Sequence, residues 1–121
     1  MTGQTVLLIE HNWPMRKLIR ANLEAIGLQV GEAVNSKEGL AHLEAGRPDL
    51  IFLDLDLPDG GAPRLLQRVH TRFAASPVPV VLISAELPGR KFMEKARASG
   101  HLLKPFGVPS LLAQVRRQLE L

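Results

Sequence analysis

Five short apolar stretches alternate with segments of helical period along the whole chain, and that alternation leaves few folds open. Val6–Ile9 and Leu50–Leu53 are unbroken apolar runs, as expected of strands buried on both faces of a sheet. Val78–Ile83 is a third, rich in β-branched residues. Leu28–Val34 is weaker and interrupted by Gly31, which reads as a strand at the sheet edge. Leu102-Leu103 is the shortest of the set.

The segments between them carry helix signals. Asn12 can cap the first helix, with Pro14 in its opening turn and Gly27 at its end. Met15, Leu18, Ile19, Leu23 and Ile26 recur there at helical spacing and read as an inward face. Ser36 is the expected cap of the second helix, which carries Leu40 and Leu43 and stops at Gly46-Arg-Pro48. Leu65, Leu66, Val69 and Phe73 mark a third helix, and Phe92, Met93 and Ala96 a shorter fourth. Pro109 opens the last, with Leu111, Leu112, Val115 and Leu119 facing inward.

Strand and helix thus alternate through one domain spanning residues 1–121. Right-handed crossovers turn such a chain into an α/β fold, a parallel sheet with helices on both faces. The flavodoxin-like strand order 2-1-3-4-5 suits five units best. There is no internal repeat, linker or room for a second domain.

Composition narrows the function. The 121 residues are 45% hydrophobic and 22% charged, which is ordinary for a globular protein. No apolar stretch approaches a membrane span, and Met1-Thr-Gly-Gln-Thr lacks the features of a secretory signal. The absence of cysteine rules out disulfides and thiolate metal sites and fits a cytoplasmic protein. Net charge is +3 and spread over several helices. Arg64, Arg68 and Arg72 form a stripe that reads as a solvated outer face, with an acidic partner or nucleic acid as the alternative. No nucleic-acid-binding motif supports the alternative, so direct nucleic-acid binding is not expected.

Chemistry gathers at strand ends. Glu10 and His11 follow the first strand, Asp54 the third, Ser84 the fourth and Lys104 the fifth. In a parallel sheet these ends share one edge, where open α/β folds place their sites. An acid, a hydroxyl and an amine around a carboxylate suit a phosphoryl group held on Asp54.

Val6-Leu-Leu-Ile-Glu10, Pro48-Asp-Leu-Ile-Phe-Leu-Asp54-Leu-Asp-Leu-Pro58, Val80-Val-Leu-Ile-Ser84-Ala and Leu103-Lys104-Pro105-Phe106 resemble the response-regulator receiver domain of two-component signalling. The likeness runs in order along essentially the whole chain. It implies that Asp54 is the phosphoacceptor, Ser84 the switch hydroxyl and Lys104 the phosphate-binding lysine, with a cis bond before Pro105. It implies Mg²⁺ held by Glu10, Asp54 and the backbone carbonyl of Asp56. It also implies a histidine kinase or phosphotransfer protein as phosphoryl donor. The output surface toward a downstream effector protein would be built from the fourth helix, fifth strand and fifth helix, including Phe92, Lys95, His101 and Arg116. A homodimer through that surface is one option for the oligomeric state.

The chain departs from the family pattern at several positions. Receivers usually have two acids after the first strand; here the second is His11, and an imidazole is a poor ligand for Mg²⁺. Weakened Mg²⁺ binding and slow or lost phosphorylation are expected, unless Glu10 and Asp54 suffice for the ion. Asp56 either replaces the missing acid, guides a water, or faces solvent. His101 stands where receivers usually have a swinging Tyr or Phe, and is either a pH-sensitive switch residue or a bystander. Arg97 replaces a frequent glycine. Trp13 is expected to pack against the fourth helix or cover the site, and His42 and His70 to lie on the surface.

Three functions compete: a phosphoacceptor receiver, a pseudo-receiver binding partners without phosphorylation, and a small flavin electron carrier. The third fits poorly, because Glu10-His-Asn-Trp-Pro14 lacks a Gly/Ser/Thr phosphate cradle. The sequence reads equally as a stand-alone receiver or as one cut from a longer regulator.

Overall fold

Parallel pairing of β1 (Thr5–Ile9), β2 (Gln29–Ala33), β3 (Leu50–Asp54), β4 (Val80–Ser84) and β5 (Gly100–Leu103) builds a five-stranded sheet in the order β2-β1-β3-β4-β5. The structure is a computed structural model and describes residues 3–121, so Met1 and Thr2 of the expected signal-free start lie outside the described residues. The helices are α1 (Trp13–Ala25), α2 (Ser36–Ala45), α3 (Ala62–Arg72), α4 (Arg90–Ala96) and α5 (Val108–Leu119). Among the described residues no helix is long and apolar enough to cross a membrane.

The two faces of the sheet carry separate cores, because side chains alternate along each strand. Leu7, Ile9, Ile51, Leu53, Val80 and Leu82 pack with α2, α3 and Ala96 of α4. Val6, Leu8, Leu50, Phe52, Val81 and Ile83 pack with Ile19 and Leu23 of α1 and Leu111 and Val115 of α5. All five residues of β3 and of β4 are buried, which is why both read as continuous apolar runs. β2 at the edge is only partly covered and loses the run. At Gly39 the α2 backbone comes so close to the sheet layer that a Cβ would sit 3.1 Å from both Ile9 and Leu65.

Several expected boundaries move. Leu18 and Ile26 are 40% and 36% exposed, so the buried stripe of α1 is narrower than its apolar spacing suggests. Asn35, not Ser36, caps α2, accepting the Glu38 N–H at 2.9 Å. Ser36 is the first helical residue, and its N–H and hydroxyl both donate to Asp59. The arginine stripe of α3 is only partly solvated. Arg68 Nε donates to Glu44 at 2.9 Å, and Arg72 Nε donates to the Leu43 carbonyl at 2.7 Å, so both clasp the C-terminal turn of α2. Trp13 is 59% exposed, with the Lys17 ammonium 4.9 Å from its ring centroid. It cannot pack on α4, because α1 and α4 lie on opposite faces of the sheet.

Candidate functional site

The ladder bonds run one residue past the strands and fix the polar groups at their ends. Glu10 N–H donates to the Ala33 carbonyl at 3.0 Å, Leu55 N–H to Ile83 and Lys104 N–H to Ser84, both at 2.8 Å. Glu10, Asp54, Ser84 and Lys104 therefore share one edge of the sheet, as parallel pairing dictates. Glu10 and Asp54 are fully buried and Ser84 is 4% exposed.

Asp54 sits at the centre. Its Oδ1 accepts the Asp56 amide at 2.8 Å, the local turn expected of an Asp before Leu-Asp-Leu-Pro58. Its Oδ2 lies 2.5 Å from His11 Nδ1, and Lys104 Nζ stands 3.7 Å from its Oδ1. The same ammonium is 2.8 Å from Glu10 Oε1, yet neither oxygen of Glu10 has an aligned hydrogen-bond donor. That approach is a charge contact rather than a directed hydrogen bond.

The two acids divide one proton unequally. Burial pushes the Glu10 carboxyl up to about 8, reinforced by the facing Asp54 and opposed by Lys104. Burial also favours neutral Asp54. The facing Glu10 carboxyl, the Asp56 amide and His11, with the Lys104 charge, outweigh it and hold Asp54 below the usual carboxylate range. Of the pair, Asp54 is the carboxyl held toward its charged form.

The acids fit a hard divalent cation, and the imidazole is the exception. Glu10, His11 and Asp54 offer ligand atoms within 4.8 Å of one another. Two buried carboxylate oxygens without donors on Glu10 are what an oxygen-seeking ion such as Mg²⁺ requires. His11 brings nitrogen to the third corner and already engages Asp54.

Asp56 does not join this cluster through its carboxylate. The side chain is exposed, and its Oδ2 accepts the Ala85 N–H at 3.2 Å, tying the start of the β4–α4 loop to the β3 end. Ser84 is held on the other side. Its Oγ lies 2.5 Å from the Glu86 carbonyl and 2.8 Å from His101 Nε2. The hydroxyl has one proton, which the short contact to Glu86 takes, so His101 donates its Nε2–H to Ser84. His101 therefore points inward. Burial lowers its pKa from the ordinary value and keeps it neutral at pH 7.

Other contributors had no motif to announce them. Arg16 Nη1 donates to the Glu10 carbonyl at 3.1 Å while its Nε pairs with Glu32, which anchors the loop after β1. Its only signal was a basic residue one turn into α1. Asp59 fastens the loop after β3 to α2, and Gly61 is required there because a Cβ would fall 2.2 Å from that of Ser36. His42 is exposed as expected. His70 is not a plain surface residue: it is half-buried and its Nε2–H donates to the Ala96 carbonyl at 2.6 Å, bridging α3 to α4. The Lys104-Pro105 bond is cis, as the family likeness implied.

A parallel sheet in this order, with two buried acids and a lysine at its C-terminal edge, defines the class as a flavodoxin-like α/β domain. The family model of the response regulator receiver domain matches residues 6–116, and the chain belongs to that family. A curated relative, the KDP operon transcriptional regulatory protein KdpE of Escherichia coli (strain K12), is 35% identical over 92% of this chain and 49% of its own. The chain spans about half the length of the curated relatives it matches. Among solved structures, a CheY-like receiver domain protein from Methanospirillum hungatei JF-1 superposes with a TM-score of 0.87 at 23% identity, covering 97% of this chain and 94% of its own. The response regulator protein TrrA from Thermotoga maritima, in complex with Mg(2+)-BeF, gives 0.82 at 20% identity, covering 95% and 98%.

Proposed function

We propose that this receiver accepts a phosphoryl group on Asp54 from a histidine kinase or phosphotransfer protein and signals through the face built by α4, β5 and α5. The observation that carries the reading is the setting of Asp54: fully buried at the C-terminal edge of the sheet, with the Lys104 ammonium 3.7 Å from its Oδ1. Phosphoryl transfer asks for in-line positioning and neutralised oxygens more than for covalent help. An Asp54 oxygen attacks phosphorus, the bond to the donor nitrogen breaks, and the phosphoryl group stays on Asp54. Lys104 moves its charge from the carboxyl pair toward the new phosphoryl oxygens.

Glu10, Asp54 and the Asp56 carbonyl are the ligands we assign to Mg²⁺, which would neutralise the phosphoryl oxygens. The same ion type accompanies the TrrA structure. His11 at the third corner weakens that binding. Ser84 turns from Glu86 and His101 toward the phosphoryl group and draws the β4–α4 loop inward. His101, Phe92, Lys95 and Arg116 lie on the face that a downstream effector reads. On this reading the chain is a cytoplasmic signalling domain, residues 1–121, whose catalysis is limited to its own phosphorylation and dephosphorylation.

One contact favours a second reading. The short His11–Asp54 hydrogen bond occupies one of the two oxygens of Asp54, as befits a pseudo-receiver that binds partners without phosphorylation. Mass spectrometry after incubation with acetyl phosphate and Mg²⁺ separates the two. The phosphoacceptor gains one phosphoryl group, and Asp54→Asn does not. An unchanged mass at saturating acetyl phosphate leaves the binding module standing.

A further inference from the structure

We infer that the groove between α3 and α4 is a docking site for an acidic amphipathic helix of a partner protein, separate from the phosphorylation pocket. Two cavities of about 560 and 390 Å³ lie along this seam and share His70 and Arg97 as a common wall. α4 has only seven residues, too few to cover its side of the sheet. Leu66 and Ala96 form the apolar floor, and Phe92, 41% exposed, stands at one rim. His70 fixes the width through its bond to Ala96.

The charges of the seam are one-sided. Lys95 and Arg97 line it, and among the described residues no carboxylate does. Neither Lys95 nor Arg97 has an ion-pair partner among the described residues, whereas Arg16, Arg20, Arg68 and Arg90 all do. Arg97 also holds a left-handed backbone, φ 52°, at the end of α4. Glycine takes that conformation freely and an arginine does not, and such strain tends to persist where a side chain has work to do. The guanidinium is what Arg97 adds over glycine, and it projects charge into the seam that both cavities share. An apolar slot between two helices with a basic rim complements a helix carrying an aliphatic or aromatic anchor and flanking Asp or Glu.

The test starts from the full folded chain. Random peptides displayed on phage are selected on it, and the enriched sequences are synthesised. The inference predicts an apolar anchor with acidic flanks, and amide shift changes at Leu66, His70, Lys95 and Arg97. Lys95→Glu and Arg97→Glu each weaken binding at least about fivefold, since each reverses a charge at the rim. Arg97→Gly weakens it too while raising thermal stability, which separates loss of the guanidinium from loss of the fold. Neutral or basic binders, no enriched peptide, affinity indifferent to Arg97→Glu, or shifts centred on Leu103 and Arg116 would each overturn it. So would self-association at micromolar concentration that buries the seam, which makes the occupant a second copy. Asp54→Asn leaves peptide binding unchanged, so this result and the phosphorylation result stand or fall separately.

Discussion

His11 Nδ1 lies 2.5 Å from Asp54 Oδ2, so the ring occupies one of the two oxygens that the Asp54 carboxylate offers to a cation. Replacing the ring by a carboxylate removes a nitrogen ligand and adds an oxygen one. His11→Asp is expected to tighten Mg²⁺ at least about tenfold, within the range seen when a metal's surroundings are corrected. Isothermal titration reads this directly, and Trp13, two residues on, offers a fluorescence signal. Equal Mg²⁺ affinity in both proteins would mean that His11 is not what limits the ion.

The inward ring of His101 gives stability a pH dependence of known sign. Burial lowers its pKa from the ordinary value of 6.5, so between the two values the unfolded chain binds the extra proton. The stabilisation is complete above 6.5 and is lost as pH falls toward the folded value. Thermal melts should therefore show a downward step below pH 6.5 that is missing in His101→Phe. An identical step in the variant would assign it to another group.

Asp56 holds the Ala85 amide across the mouth of the pocket. Asp56→Ala should speed hydrogen exchange at Ala85 by up to about tenfold, the worth of one ordinary hydrogen bond. The β3 amides serve as the unchanged reference. Unaltered exchange at Ala85 would show that the loop is held by Ser84 alone.

Arg97→Gly relieves a left-handed residue at the end of α4. The gain is about 1 kcal/mol, or roughly 4 °C in Tm for a chain of this size. A lower Tm would mean that the arginine side chain stabilises the fold more than its backbone strains it.

Gly61→Ala tests the join between the β3–α3 loop and α2. A methyl group 2.2 Å from the Ser36 Cβ forces one segment to move. A loss of about 1–3 kcal/mol in urea unfolding is expected, as for other overpacked sites. Combining it with Asp59→Ala, which frees Ser36, should recover part of the loss.

Strand order, helix order and the meeting of Glu10, Asp54, Ser84 and Lys104 were legible because they follow from periodicity and parallel pairing. The contacts around them were not. Whether Asp56 faces the acids or the Ala85 amide depends on the path of a loop, and no spacing encodes that path. The inward turn of His101 depends on Ser84 giving its proton to the Glu86 carbonyl and so accepting the His101 Nε2–H. The arginine stripe looked solvated because Arg72 bonds backbone carbonyls at the end of α2, which are identical in every sequence, and Arg68 pairs with Glu44, 24 residues away. Leu18 and Ile26 kept helical spacing but fall at the margin of the α1 contact, where apolar residues are common without being buried.

Asp59 and Ser36 have a mechanical consequence. The segment just after Asp54 is moored to α2 by two hydrogen bonds, whereas among the described residues the opposite lip, from Ala85 to Gly89, is joined to that segment by the one side-chain bond from Asp56 and to β4 by Ser84. On the proposed reading, a rearrangement that starts at Asp54 would pass toward α4 rather than toward α2, as in a vice with one jaw clamped, because the Ser36–Asp59 bonds tie down the other lip.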